Sequence, residues 1–290
     1  MAVSINLQGH RGARGLAPEN TLPGFVLALE HGMDTLELDV VLTRDQILVI
    51  HHDLATNPHL CQQTNGDRLL PTPIAHLMAS DLTTLDCGSR PHPRFPRQAS
   101  APGASPLTLR RFFNSIATYE ANHPRPRPVR FNVELKLPSK APSSVLQATA
   151  ETVVTELRRA TVLHRATVQS FELRVLPLVA ALEPTIELSA LFKPTRWQLA
   201  LLTMGLEANR SEIIEKALTL GVSTLSPHHR YINGSFVHRV HQRGLKVIPW
   251  TVNDPDRIRT LLSLGVDGLI SDYPDLLKRE YTRFQKGLSP

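Results

Sequence analysis

The sequence predicts an α/β chain folded as a (β/α)8 TIM-type barrel. Short β-like runs recur along it with helical segments between most of them, which is the alternation of a parallel α/β fold. Its 290 residues fall within the range of one such barrel, although length alone also permits two domains. Two histidines, His10 and His52, each close an apolar run, and the C-terminal ends of barrel strands are where active sites are built.

The strand candidates, in order, are INLQG (5–9), TLELDVV (35–41), ILVIHH (47–52), VRFNVELKL (129–137), ATVQSF (166–171), TIELSALF (185–192), VSTLSP (222–227), KVIPWTV (246–252) and GLIS (268–271). These are nine, and a closed barrel takes eight, so one of them is accessory; the pattern does not say which. After the first strand, PGFVLALEHG sets Phe25, Leu27, Ala28 and Leu29 on an apolar face, with Gly32 as a C-terminal stop. From about 54 to 106 the pattern breaks into Pro, Gly, Ser and Arg, far longer than a usual βα connection. We read this stretch as a loop or small subdomain inserted after the third strand, over the mouth of a single barrel domain spanning 1–290. Helical periodicity resumes in LTLRRFFNSIATYEA (107–121), and SVLQATAETVVTELRRA is periodic over about four turns. DPDRIRTLLSLG starts at an Asp-Pro signal and stops at Gly265, and RFQKGLSP reads as a frayed tail.

Composition narrows the function classes. Hydrophobic residues make up 41% and charged residues 20%, and no apolar run approaches the roughly 20 residues of a membrane span, so no integral membrane segment is expected. The formal charge of +6 admits nucleic acid, an anionic surface or an anionic small substrate. The arginines of SRPHPRFPRQ (89–98) and HPRPRPVR (123–130) are broken up by prolines and aromatics are only 5%, so these read as solvated loops, with no nucleic-acid partner. Cys61 and Cys87 lie 26 positions apart in the irregular segment. They are either free thiols or a disulfide closing that loop, and the second would imply an oxidising compartment. MAVSINLQG lacks a basic region followed by a long apolar one, so as written the chain is expected to be cytoplasmic; a periplasmic or secreted chain with its signal removed would read the same.

In TLELDVV, Glu37 and Asp39 are two apart on a strand, so both carboxylates share a face while Leu36, Leu38 and Val40 pack on the other. Two like charges that close are economical only with a cation between them. NVELK repeats the device: Glu134 adds a third carboxylate, which makes a hard oxygen site for Mg2+ or Ca2+, and Lys136 on the same face is left for a phosphate oxygen. Taken singly, each of these is an ordinary surface acid or ion pair. His10 and His52 can act as base and acid at neutral pH, whereas His51 points the other way if the strand continues. Trp250 ends another strand and either walls a glycerol or alcohol pocket or packs the core. Asp267 and Asp272 read as turn or cap residues.

Taken together, HRG at 10–12, ENT at 19–21, ELD at 37–39, HD at 52–53, ELK at 134–136, WTVN at 250–253 and GVDGLISDYP at 265–274 resemble the glycerophosphodiester phosphodiesterase family, in order and spacing along nearly the whole chain. The resemblance implies a barrel like that of the phosphatidylinositol-specific phospholipases C. It also implies hydrolysis of small glycerophosphodiesters, such as glycerophosphocholine or glycerophosphoethanolamine, to glycerol 3-phosphate and an alcohol. Carried over by position, it marks His10 and His52 as the acid/base pair, Glu37, Asp39 and Glu134 as ligands of one divalent cation, and Arg11 and Lys136 as phosphate contacts. The glycerol or alcohol pocket remains the reading for Trp250, and the glycines of QGHRGARG would let backbone approach the substrate. His51 before the HD pair and the long 54–106 segment depart from the commonest pattern; similar segments occur in exported bacterial members.

Three rivals belong to other classes. A lysophospholipase D on the same barrel needs an apolar acyl channel, and the inserted segment has no long hydrophobic stretch to build one. A zinc amidohydrolase relies on His-x-His after the first strand, where this chain has His-Arg-Gly. A non-catalytic relic should have lost one of the three acids or two histidines, and all five are present.

Overall fold

The computed structural model describes residues 5–287. Its strands are β1 (Asn6–Gly9), β2 (Thr35–Leu42), β3 (Leu48–Ile50), β4 (Arg130–Leu135), β5 (Ala166–Ser170), β6 (Glu187–Phe192), β7 (Thr224–Pro227), β8 (Lys246–Val247) and β9 (Gly268–Ser271). They form one sheet in the order β8-β7-β6-β5-β4-β2-β1-β9, with β3 beside β2. Across the remaining seam, the N–H of Asp267 donates to the carbonyl of Val247 (3.0 Å), that of Ile270 to Pro249 (3.1 Å) and that of Val252 to Ile270 (2.9 Å). The eight parallel strands therefore close on themselves as a (β/α)8 barrel.

The accessory strand is β3, which pairs antiparallel with β2 through Val40↔Ile50, Val41↔Val49 and Leu42↔Leu48. Chain length decides this, because a parallel partner needs a crossover of about a dozen residues or more and only 43–47 separate the two strands. Strand β8 is shorter than its apolar run because Pro249 has no N–H to give to a ladder.

The helices are α1 (Leu22–Glu30), α2 (Ala79–Thr83), α3 (Leu109–Asn122), α4 (Ser143–Arg159), α5 (Val175–Leu182), α6 (Arg196–Thr203), α7 (Arg210–Thr219), α8 (Gly234–Gln242), α9 (Pro255–Ser263) and α10 (Pro274–Gln285). Their ends follow local chemistry. Thr21 caps α1 by accepting from the Gly24 N–H, Asp254 caps α9 by accepting from Arg257, and Gly32 and Gly265 turn the chain at φ +76° after each. Residues 283–285, read as part of a frayed tail, are instead the last turn of α10; residues 288–290 lie outside the described residues. No described helix is long and apolar enough to cross a membrane.

The main core joins barrel and helices, with Phe25, Phe112 and Phe131 fully buried between α1, α3 and β4. The inserted segment has its own small core on the β2–β3 hairpin, where Val41 and Val49 meet Ile74, Leu82 and Leu85. Cys61 and Cys87 are joined as a disulfide, which resolves the alternative left open by the sequence. The end of the segment returns to the first loop, where the Gln98 amide donates to the carbonyls of Arg14 (2.7 Å) and Ala17 (3.1 Å).

A crosslink between residues 26 positions apart removes about 3.5 kcal/mol of unfolded-state entropy in the loop-closure model. Dithiothreitol is therefore expected to lower the melting temperature, and alkylation of the unreduced, denatured chain should leave its mass unchanged. Two alkylated thiols would refute the pairing.

Candidate active site

The alternation of β2 sends Glu37 and Asp39 to the lumen, and the parallel register with β4 sets Asp39 opposite Glu134 and Glu37 opposite Asn132. Each of the three acids is buried and has a carboxylate oxygen within 4.8 Å of the others. Crowding of like charges in a dry site has the expected result. Burial, then Asp39 and Glu134, hold the Glu37 carboxyl well above its ordinary range, and burial with Asp39 lifts Glu134 to about 7. Asp39 goes the other way, because Arg11 and Lys136 outweigh its burial. Its Oδ1 makes no hydrogen bond. An all-oxygen donor set with one buried oxygen that lacks a hydrogen bond and two carboxyls resisting ionisation fits a hard divalent cation.

The loop after β1 braces this cluster. Arg11 (φ +50°) and Gly12 (φ +83°) turn the chain sharply, which aims the Arg11 N–H at Glu37 Oε2 (2.9 Å). The Arg11 guanidinium donates to Glu19 (2.9 Å), and its Nε lies 3.0 Å from Asp39 Oδ2. Glu19 also accepts from Arg14 (2.5 Å), and Asn20 donates to Asp39 Oδ2 (2.9 Å). The glycines of this loop serve packing, contrary to the substrate-approach reading. A Cβ on Gly12 would meet the Gly24 carbonyl at 2.6–2.7 Å, and one on Gly15 the Tyr273 ring at 2.3 Å.

His10 leaves β1 buried, with Nδ1 2.6 Å from Asp272 Oδ1. Asp272 is held at about 2: burial pushes it up, but His10, Arg14 and the Asn253 amide (2.6 Å) bring it down. An ionised carboxylate only accepts, so Nδ1 carries the hydrogen and Nε2 is the free nitrogen. Burial lowers the His10 pKa below the ordinary 6.5, against the upward pull of Asp272. His52, half-buried, sets its Nδ1 2.8 Å from Asp53 Oδ1, and Asn57 donates to the other oxygen (2.9 Å). His51 turns away, bonding the Asp53 carbonyl (2.8 Å) beside the disulfide.

These groups share one cavity of about 770 Å³ at the C-terminal end of the barrel. His10, Arg11, Glu37, His52, Glu134, Lys136 and Trp250 line it, and Asp39 lies fully buried between its neighbours. Lys136 donates to Glu134 (2.7 Å). Trp250 donates its indole N–H to the Ser226 carbonyl (2.8 Å) and meets Phe171 edge to face at 5.4 Å, forming one wall. A second cavity, about 720 Å³ at the opposite end, collects none of these groups.

The family model of the glycerophosphoryl diester phosphodiesterases matches residues 10–276. The chain belongs to this family. It is therefore a phosphodiesterase, and relatives of that name match over most of its length. It is 27% identical to a glycerophosphodiester phosphodiesterase of Bacillus subtilis (strain 168), over 93% of this chain and 84% of that one. It superposes with a TM-score of 0.86 and 27% identity on a protein of Silicibacter pomeroyi DSS-3 described as a candidate glycerophosphoryl diester phosphodiesterase, covering 100% of this chain and 96% of that one. A phosphodiesterase of Oleispira antarctica, solved with the product sn-glycerol-3-phosphate, has the same fold (TM-score 0.71, 24% identity, 96% of each chain).

The sequence reading missed several residues of this phosphodiesterase's site. Asp272, read as a turn or cap residue, instead holds His10. It ends β9 as His10 ends β1, so the strand-end rule used for the histidines would have found it. Gln169, which donates to Glu37 Oε1 (3.1 Å), and Phe171 come from β5 and the turn after it, a run that carried no charged residue to mark it.

Proposed function

We propose that the chain hydrolyses small glycerophosphodiesters to glycerol 3-phosphate and an alcohol, with glycerophosphocholine and glycerophosphoethanolamine as first candidates. In this reading Glu37, Asp39 and Glu134 hold one Mg2+ or Ca2+ and His10 and His52 are the acid/base pair. The observation that carries it is the convergence of three buried carboxylates and two carboxylate-oriented imidazoles on one cavity. The product bound to the Oleispira antarctica enzyme supports glycerol 3-phosphate as the shared half of the substrate.

A divalent cation bound to the acids would supply positive charge to the phosphodiester. Arg11 and Lys136 bind its remaining oxygens, while Trp250 and Phe171 wall the glycerol or alcohol group. His10, neutral and with Nε2 free, takes the proton of the glycerol 2-hydroxyl as that oxygen attacks phosphorus. His52 gives a proton to the leaving alkoxide. The resulting cyclic phosphate is opened by water with the two roles reversed. The Cys61–Cys87 bond supports placing the enzyme in an oxidising compartment rather than the cytoplasm.

The test is release of glycerol 3-phosphate from both substrates, with and without EDTA and restored Mg2+ or Ca2+, beside release of choline from lysophosphatidylcholine. Metal-dependent release from the glycerophosphodiesters is expected. No release from folded, metal-replete protein would overturn the reading, and choline release from the lysolipid alone, which leaves lysophosphatidic acid, would replace it with the lysophospholipase D alternative. A 2-deoxyglycerol substrate should resist cleavage; hydrolysis of it would favour direct attack by water.

A further inference from the structure

Between β6 and β7 the chain makes an additional helix, α6, that lies over the catalytic end of the barrel. Thr195 and Gln198 cap it reciprocally, Leu202 anchors it in the core, and it packs on the turn His229–Tyr231 that follows β7. Its other face is largely exposed. Trp197, Ala200, Leu201 and Met204 follow the i, i+3, i+4, i+7 spacing of an apolar helical stripe, yet Trp197 is 70% exposed, Met204 63% and Leu206, after the helix ends, 50%. Trp197 and Met204 are the two most exposed large apolar side chains among the described residues.

Within the segment that carries this stripe the charges have one sign. No acidic residue occurs from 188 to 206, and the first to follow, Glu207, is engaged by Arg239. Lys193, Arg196 and, on the adjoining turn, Arg230 are exposed, and none makes an ion pair among the described residues. Lys193 also lines the catalytic cavity, so the patch runs up to its mouth.

We propose that this face docks the phosphodiesterase on the surface of a membrane containing anionic phospholipid. Trp197, Met204 and Leu206 would enter the headgroup boundary while the three cations meet lipid phosphates, the division of labour of an interfacial helix. The charge argues against a second copy as occupant, since two such faces would oppose cation to cation. Met and Leu beside the single indole suit hydrocarbon better than stacked bases. Docking of this kind turns the mouth toward the lipid surface, and it does not depend on which diester is cleaved.

The test is flotation of the full-length protein with vesicles of phosphatidylcholine alone and of phosphatidylcholine mixed equally with phosphatidylglycerol, at low and high salt. Binding to the mixed vesicles that weakens with salt is expected. Arg196→Glu should lower the partition coefficient more than about fivefold and Trp197→Ser by about tenfold or more. Both variants should hydrolyse the soluble substrate as the parent does, which verifies their fold. Equal partition into both vesicles, no partition, or native binding by Trp197→Ser would overturn the proposal. A dimer that Trp197→Ser dissociates, without vesicle binding by the parent, would assign the face to a second copy instead.

Discussion

Glu37→Gln is expected to lower kcat/KM by roughly 10³-fold or more while leaving the metal-free fold intact, because a bound cation supplies several kcal/mol of charge stabilisation at the phosphodiester. The two effects separate because Glu37 is a poor structural residue. It is buried against Asp39 and Glu134, and that crowding already favours its protonated form, which a glutamine resembles. The metal-free variant should therefore melt close to the parent, since a glutamine keeps the neutral form that the crowding favours and can still accept from the Arg11 N–H or the Gln169 amide. The parent should melt higher when Mg2+ or Ca2+ is added, by mass action, and the variant should lose that increment. A Glu37→Gln protein that keeps both its activity and its metal-induced rise in melting temperature would remove the cation from the site. A variant that melts far below the parent would instead make Glu37 a structural residue.

The barrel was legible because its signal is local. Alternation in TLELDVV and the apolar runs before His10 and His52 depend only on neighbouring residues, and so does the carboxylate face of β2. The accessory strand was also within reach, since the 43–47 connection is too short for a crossover, but strand counting alone ignores connection length. The Cys61–Cys87 pairing depends on how residues 54–106 fold around Ile74 and Leu82, which no spacing encodes. The Asp272–His10 contact joins the two ends of the chain across 262 positions. Local chemistry made Asp272 look like a turn residue, and only barrel closure between β1 and β9 puts it beside the imidazole.

Asp272→Asn should lower kcat by about 10²–10⁴-fold, with KM changed much less, and should shift the acid limb of the pH profile downward. The first effect follows from the tautomer. Asp272 fixes the hydrogen on Nδ1 of His10, and an asparagine amide can either accept from Nδ1–H or donate to a bare Nδ1, so the free base at Nε2 is no longer enforced. The second follows from sign. His10 works as a base when neutral, so kcat/KM falls as pH drops through its pKa, which burial has lowered from 6.5 while Asp272 raises it through its charge and hydrogen bond. Removing the charge, and weakening or losing the hydrogen bond, lets the pKa fall further. The variant is then slower everywhere yet retains a larger fraction of its maximum at acidic pH, a combination that general loss of folding does not produce. Asp272→Glu should restore part of kcat and move the limb back. An unmoved acid limb in Asp272→Asn, with activity lost only in proportion to a lowered melting temperature, would make Asp272 a structural residue and leave His10 without its proposed role as the base.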